Sequence, residues 1–146
     1  MNAMSKMSPM SRIGVIFLTW RRCLQKRILP YGITLKQLYI LRQLQKKEVL
    51  SPSEIAVLLY CDRPTATSIL NTMKAKGWVM SERDPLNMKK QRIILTDAGL
   101  KKLSSLSGFS LEPDFDPLAC FTLEERSQFE LLLQKLSAHM NKLPTE

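Results

Sequence analysis

A chain of 146 residues, 45% apolar and 24% charged with a formal net charge of +9, has room for one cored domain but not for two large ones. No apolar run approaches the roughly 20 residues that span a bilayer. Residues 13–20, the nearest, run into Arg21 and Arg22 without a leader's layout, so the expected location is the cytoplasm.

Three widely separated cysteines (Cys23, Cys61, Cys120) and the single His139 argue against a disulfide framework and a zinc site. With no glycine-rich phosphate loop and no evident nucleophile–base pair, neither catalytic residues nor a cofactor are expected. The charge is unevenly spread. Residues 1–47 hold ten Lys or Arg and no acid, residues 62–92 hold seven bases against three acids, and residues 112–130 hold six acids against Arg126. Two basic regions suit a polyanionic partner, against the plainer reading of solvated surface charge.

In chain order, residues 1–10 carry four Met and read as a frayed terminus. Residues 11–29 read as a helix, with Ile13, Ile16, Phe17, Trp20, Cys23 and Leu24 at three- and four-residue steps. Pro30, Tyr31 and Gly32 break it. Thr34 opens a second helix through a capping box with Gln37, its apolar face being Leu35, Leu38, Tyr39, Leu41 and Leu44. Ser51-Pro52-Ser53-Glu54 is a stronger cap, opening a short helix with Ile55, Leu58 and Leu59 inward. Asp62 caps a fourth helix that admits Pro64 in its first turn and buries Ala66, Ile69, Leu70 and Met73. Gly77 ends it in the left-handed region, and Trp78 folds back on its last turn.

Two short helices joined by about three residues form a helix-turn-helix pattern. Residues 79–83 and 91–95 read as strands and residues 84–90 as the basic tip between them, a hairpin behind the second helix. Thr96 caps a helix to about Ser105, residues 107–121 are turn-rich, and Thr122 with Glu125 caps a final helix with Phe129, Leu132, Leu133, Leu136 and Met140 inward.

These elements in this order resemble the MarR family of bacterial and archaeal regulators. The resemblance is carried by Cys61-Asp62-Arg63-Pro64-Thr65-Ala66-Thr67, by Lys76-Gly77-Trp78-Val79, by Asp84-Pro85 and by Leu95-Thr96-Asp97-Ala98-Gly99, and it extends from about residue 11 to the C-terminus. It implies a mainly α fold with a small β-wing (α+β). A winged helix-turn-helix would occupy residues 34–96, with dimerisation helices at 11–33 and 97–143. A homodimer bound to double-stranded DNA is implied, with no role for a membrane. Asn87 and Lys89 stand where the family usually has Asp and Arg; lysine cannot make arginine's planar bidentate contacts, which implies a looser wing that keeps its phosphate contacts.

In such a fold the exposed side of the second helix meets base edges, here Arg63, Pro64, Thr65, Thr67, Ser68 and Asn71; by resemblance Thr67 and Ser68 touch bases most often. Lys74, Lys76, Lys89, Lys90 and Arg92, with Asn87 in the wing and Ser51 and Ser53 on the preceding helix, would serve the backbone. Ile16, Phe17 and Trp20 of the first helix and Phe129, Leu133, Leu136 and Met140 of the last would form the dimer, against the alternative of an intrachain lid. The resemblance also implies a crevice for a small aromatic or phenolic effector, with Arg22, Tyr39, Arg42 and Met73 as candidates. The resemblance thus implies a sequence-specific transcriptional regulator, in its usual action a repressor, on a pseudo-palindromic operator, and two alternatives stand beside that reading. One is a thiol-based redox regulator using Cys61, which precedes a helix N-terminus, or Cys23. The other is a winged-helix interaction module with weakened DNA binding.

Overall fold

In a computed structural model, which describes residues 6–107 and 116–144, helices begin where local capping chemistry starts them. Helix α1 (Pro9–Ile28) starts two residues ahead of the expected Ser11. The Ser8 side chain accepts from the Ser11 N–H at 3.2 Å, and Pro9 sits in the first turn, where its missing N–H leaves nothing unpaired. A 3-10 turn (Leu29–Tyr31) and Gly32, at φ 68°, lead to α2 (Leu35–Lys47). The expected capping boxes are formed on α2 by Thr34 and Gln37 and on α3 (Pro52–Leu58) by Ser51 and Glu54. Asp62 caps α4 (Arg63–Ala75) and Thr96 caps α5 (Asp97–Ser105). The box of Thr122 and Glu125 opens α6 (Leu123–Met140).

The C-terminus of α4 closes as expected. The Trp78 N–H donates to the Met73 carbonyl and the Gly77 N–H to that of Lys74, with Gly77 at φ 72°. The chain then enters β2 (Val79–Asp84), turns at Pro85 and Leu86, and returns as β3 (Asn87–Leu95). Both strands run further toward the tip than expected, leaving only two residues between them. A third strand, β1 (Val49–Leu50), pairs antiparallel with the far edge of β3, Val49 opposite Ile94 and Leu50 opposite Ile93, giving the order β1-β3-β2. A two-residue strand has no periodicity to read. It exists because β3 offers it an open edge.

Helix α2 is the hub, touching α1, β1, β3 and α5. Its buried residues are Gln37, Leu38, Ile40, Leu41 and Leu44, so Ile40 takes the inward place expected for Tyr39, which is exposed. A helix covered on several sides buries a wider arc than one amphipathic stripe predicts. On α3 the inward residues are Pro52, Ile55 and Ala56, with Leu58 and Leu59 only half-buried; on α4 Ala66, Leu70 and Met73 are buried and Ile69 half-buried.

The chain divides into two units, the first ending after α5 and the second containing α6. In the second unit the Phe121 ring meets Phe129 edge-on at 5.3 Å, and Asp116 pairs with Arg126. No residue of α6 is buried. Leu132, Leu133 and Met140, expected inward, are exposed, and Leu136 is half-buried. In the first unit the early turns of α1 likewise leave Ile13, Ile16, Phe17 and Leu18 exposed, with Trp20 half-buried.

Candidate nucleic-acid interface

Helix α4 is set by its cap. Asp62 accepts from the Thr65 N–H at 2.7 Å, and the hydroxyl and N–H of Thr65 hold its carboxyl below the usual carboxylate range. Burial of Ala66, Leu70 and Met73 then turns Pro64, Thr65, Thr67, Ser68 and Asn71 outward. The Thr67 hydroxyl donates to the Arg63 carbonyl at 2.9 Å, which leaves its methyl and oxygen lone pairs facing out. Among the described residues neither the Ser68 hydroxyl nor the Asn71 amide has a hydrogen-bond partner, and both are exposed. Hydroxyls and an amide free to accept and donate are what base edges require.

Beside this helix runs an open groove of about 820 Å³, bounded by β1, the start of α3, Arg63 and the wing. Five cations line it (Arg63, Arg83, Lys89, Lys90, Arg92) against two acids, Glu54 and Asp84. The Arg63 guanidinium donates to the Ser53 hydroxyl at 2.8 Å, so it bridges α4 to α3 along the groove rather than standing out from the helix face. Ser51 spends its hydroxyl on the Glu54 N–H. Glu54 in turn accepts from the Ser51 N–H at 2.7 Å, which is the main cause holding its carboxyl below the ordinary value, with Lys47 and Lys90 adding to it. Arg92 faces Glu82 across the hairpin at 3.8 Å, a loose exposed pair worth little.

The wing is braced rather than loose. Arg83, which the sequence pattern did not single out, donates to the Met88 carbonyl at 2.7 Å. The Asp84 carboxylate accepts from the Leu86 N–H at 2.9 Å, and the Asn87 side chain from the Lys89 N–H at 3.2 Å. Asparagine here makes the same turn-closing contact as an aspartate, so the expected looseness does not follow. Arg83 could have been found by register alone. It stands opposite Gln91 in the ladder, one position from the Glu82–Arg92 pair along the same hairpin.

Other expected residues lie elsewhere. Lys76 is tied inward, its ammonium donating to the Gly32 carbonyl at 3.1 Å and resting 4.5 Å from the centre of the Trp78 ring. Lys102 does the same from α5, 5.4 Å from that ring and bonded to the Tyr31 carbonyl. Lys74 is half-buried. The expected effector crevice is not assembled: Met73 is fully buried in the core, Tyr39 and Arg22 are exposed, and Arg42 faces a separate small cavity with Leu103 and Leu106. Cys23 and Cys61 are free and half-buried, whereas Cys120 is the exposed thiol.

Asp62, Glu54 and Asp116 all carry depressed values, the last chiefly through the Leu118 N–H and then Arg126. A carboxyl depressed in the folded state adds stability that is complete above its unfolded value and lost as pH falls through its folded one. Thermal melts followed by circular dichroism are therefore expected to be flat from about pH 7 to 5 and to fall below about pH 4. An unchanged midpoint down to about pH 3 would contradict this.

Residues 33–90, from the end of the α1–α2 joint to the wing, match the model of the MarR family. Over 134 residues the chain is 26% identical to the HTH-type transcriptional regulator PecS of Dickeya dadantii, covering 90% of this chain and 79% of that protein. Its fold is similar to that of a MarR mutant from E. coli complexed with operator DNA, with a TM-score of 0.77 and 24% identity over 93% of this chain and 99% of that one. A MepR–DNA complex of S. aureus is similar at a TM-score of 0.78, with 20% identity over 92% of this chain and 99% of that one. Residues 33–90 are thus similar to the MarR family across the helix-turn-helix and wing, and the chain shares a winged-helix fold almost end to end with these structures.

Proposed function

We propose that the chain is a sequence-specific transcriptional regulator, in its usual action a repressor, that binds a pseudo-palindromic duplex as a homodimer. The observation that carries this reading is the cation-lined groove, reached by Arg63, beside an outward polar face on α4 on which the Ser68 and Asn71 side chains are unpartnered among the described residues. With α4 in the major groove, Asn71 can pair bidentately with adenine, while the methyls of Thr65 and Thr67 meet thymine methyls. Lys89, Lys90 and Arg92 then take phosphates, which set register and orientation without reading sequence.

The dimer is supported by apolar surface that one chain leaves uncovered: Ile13, Ile16, Phe17 and Leu18 on α1, and Leu131, Leu132 and Leu133 on α6, all at 40% exposure or more. Two-fold symmetry would space the α4 helices about one DNA turn apart. Release by a small aromatic anion completes the reading. It is supported by a cavity of about 340 Å³ lined by Arg21, Gln25, Thr34, Leu35, Ser68 and Thr72. A carboxylate paired with Arg21 there would press on the helix that meets DNA.

Selection from random duplexes with the purified protein, followed by mobility shifts at rising salt, tests the reading. An inverted-repeat consensus is expected, with affinity falling at least about tenfold between 50 and 200 mM salt. A flat salt response, or a selection that yields no consensus, would leave only the protein-interaction module.

A further inference from the structure

We propose that the wing tip is an apolar wedge: Leu86, backed by Pro85 and Met88, enters the minor groove at one base step, unstacks it and bends the duplex. This rests on reading the neighbouring groove as a DNA interface.

Residues 84–88 contain no Lys or Arg, so nothing at the apex can seek the negative potential of a narrow groove as a cation would. What the apex offers instead is hydrocarbon. Leu86 is 97% exposed and Met88 62% exposed. A hairpin turn does not require this, since short turns between strands are ordinarily closed by small polar residues or glycine. Among the described residues Leu86 packs against nothing, so its side chain adds nothing to their fold.

The apex is also held stiff. The Leu86 N–H is bound by Asp84, the Lys89 N–H by Asn87, and the Met88 carbonyl by Arg83, so three contacts within seven residues fix the turn. An apolar side chain carried on a fixed turn loses little backbone freedom on insertion. The one acid near the apex, Asp84, is half-buried and turned onto the Leu86 N–H.

The duplex is favoured over an apolar pocket on a protein by what stands behind the tip. Arg83, Lys89, Lys90 and Arg92 on the same hairpin line the basic groove that continues to Arg63. Phosphates drawn to those cations bring the minor groove against the apex, where Leu, Met and Pro are side chains that wedge between base pairs. The step opened would be one that unstacks cheaply, a pyrimidine–purine step, so the wing would read deformability rather than base edges.

The test uses the full chain on the duplex recovered by selection, with 2-aminopurine at the step facing the wing and a fluorophore pair reporting the bend. Wild type is expected to raise 2-aminopurine emission and to bend the duplex by roughly 20–90°. L86A and L86N are expected to keep the wild-type melting midpoint, lose both signals and bind about tenfold more weakly. A mismatch at that step should tighten wild type and leave L86A unchanged. Wild type that binds without bending overturns the wedge, as does L86A with an unchanged bend, whether or not its affinity falls. Wild type that binds no duplex defeats the underlying DNA reading instead.

Discussion

Replacing Lys89 and Lys90 together by glutamate is expected to weaken operator binding by about 100-fold or more, and to flatten its salt dependence by up to about four units of slope in a dimer. Each protomer would lose two cations that line the groove beside α4, and would gain two anions facing the same phosphates. Both side chains are exposed, so the fold should survive the exchange. Glu54 already faces Lys90 across the groove, and the reversed charge would set two carboxylates against one another there. Mobility shifts over a salt series check the result, with melting curves as the control. Wild-type affinity at every salt concentration would remove this groove from the interface. The alternative of a winged-helix module with weakened DNA binding would then gain the ground that the braced wing has taken from it.

Gly99→Val is expected to cost ~3 kcal/mol or more and to lower the melting midpoint by about 10 °C. Gly99 is buried in the first turn of α5, where even a Cβ would stand 2.2 Å from the Trp78 carbonyl oxygen and 2.7 Å from a Leu95 methyl. That carbonyl cannot step aside freely, because it accepts from the Thr96 N–H at 3.1 Å, while the Thr96 hydroxyl donates to the Gly77 carbonyl and accepts from the Gly99 N–H. One threonine thus ties the end of α4 to the start of α5, and the missing side chain of Gly99 is what allows the approach. Because the same joint sets where the hairpin leaves α4, DNA binding should fall along with stability. A G99V protein that melts like wild type would show the joint to be looser than this packing implies.

The groove and the Gly99 joint were legible to different degrees. Every cap but the Ser8 cap of α1 was readable, because a capping box needs only residues three apart: Thr34 with Gln37, Ser51 with Glu54, Thr122 with Glu125. Gly77 and Trp78 were readable for the same reason, since their bonds reach back at most five residues. The outward polar face of α4 followed from its inward one. The side chains that went astray are those whose partners are distant in sequence. Lys76 bonds a carbonyl 44 residues away and Lys102 one 71 residues away, so neither could be told from a solvated lysine by its neighbours. Arg63 looked like one more cation of the helix face until Ser53, ten residues earlier, was brought under it.

The basic hairpin behind the helix-turn-helix is where the two levels divide most clearly. Local sequence alone determined that it exists, where its strands lie to within a few residues, and that its stem is cationic, because alternation, turn residues and charge are short-range properties. Only the tertiary structure decided that β1 caps the sheet, that Arg83 and Asp84 brace the tip, and that Lys89, Lys90 and Arg92 share a groove with Arg63 and Ser53. Burial decided the rest: Met73 belongs to the core and Leu86 to the solvent, and no count of apolar residues along the chain separates the two.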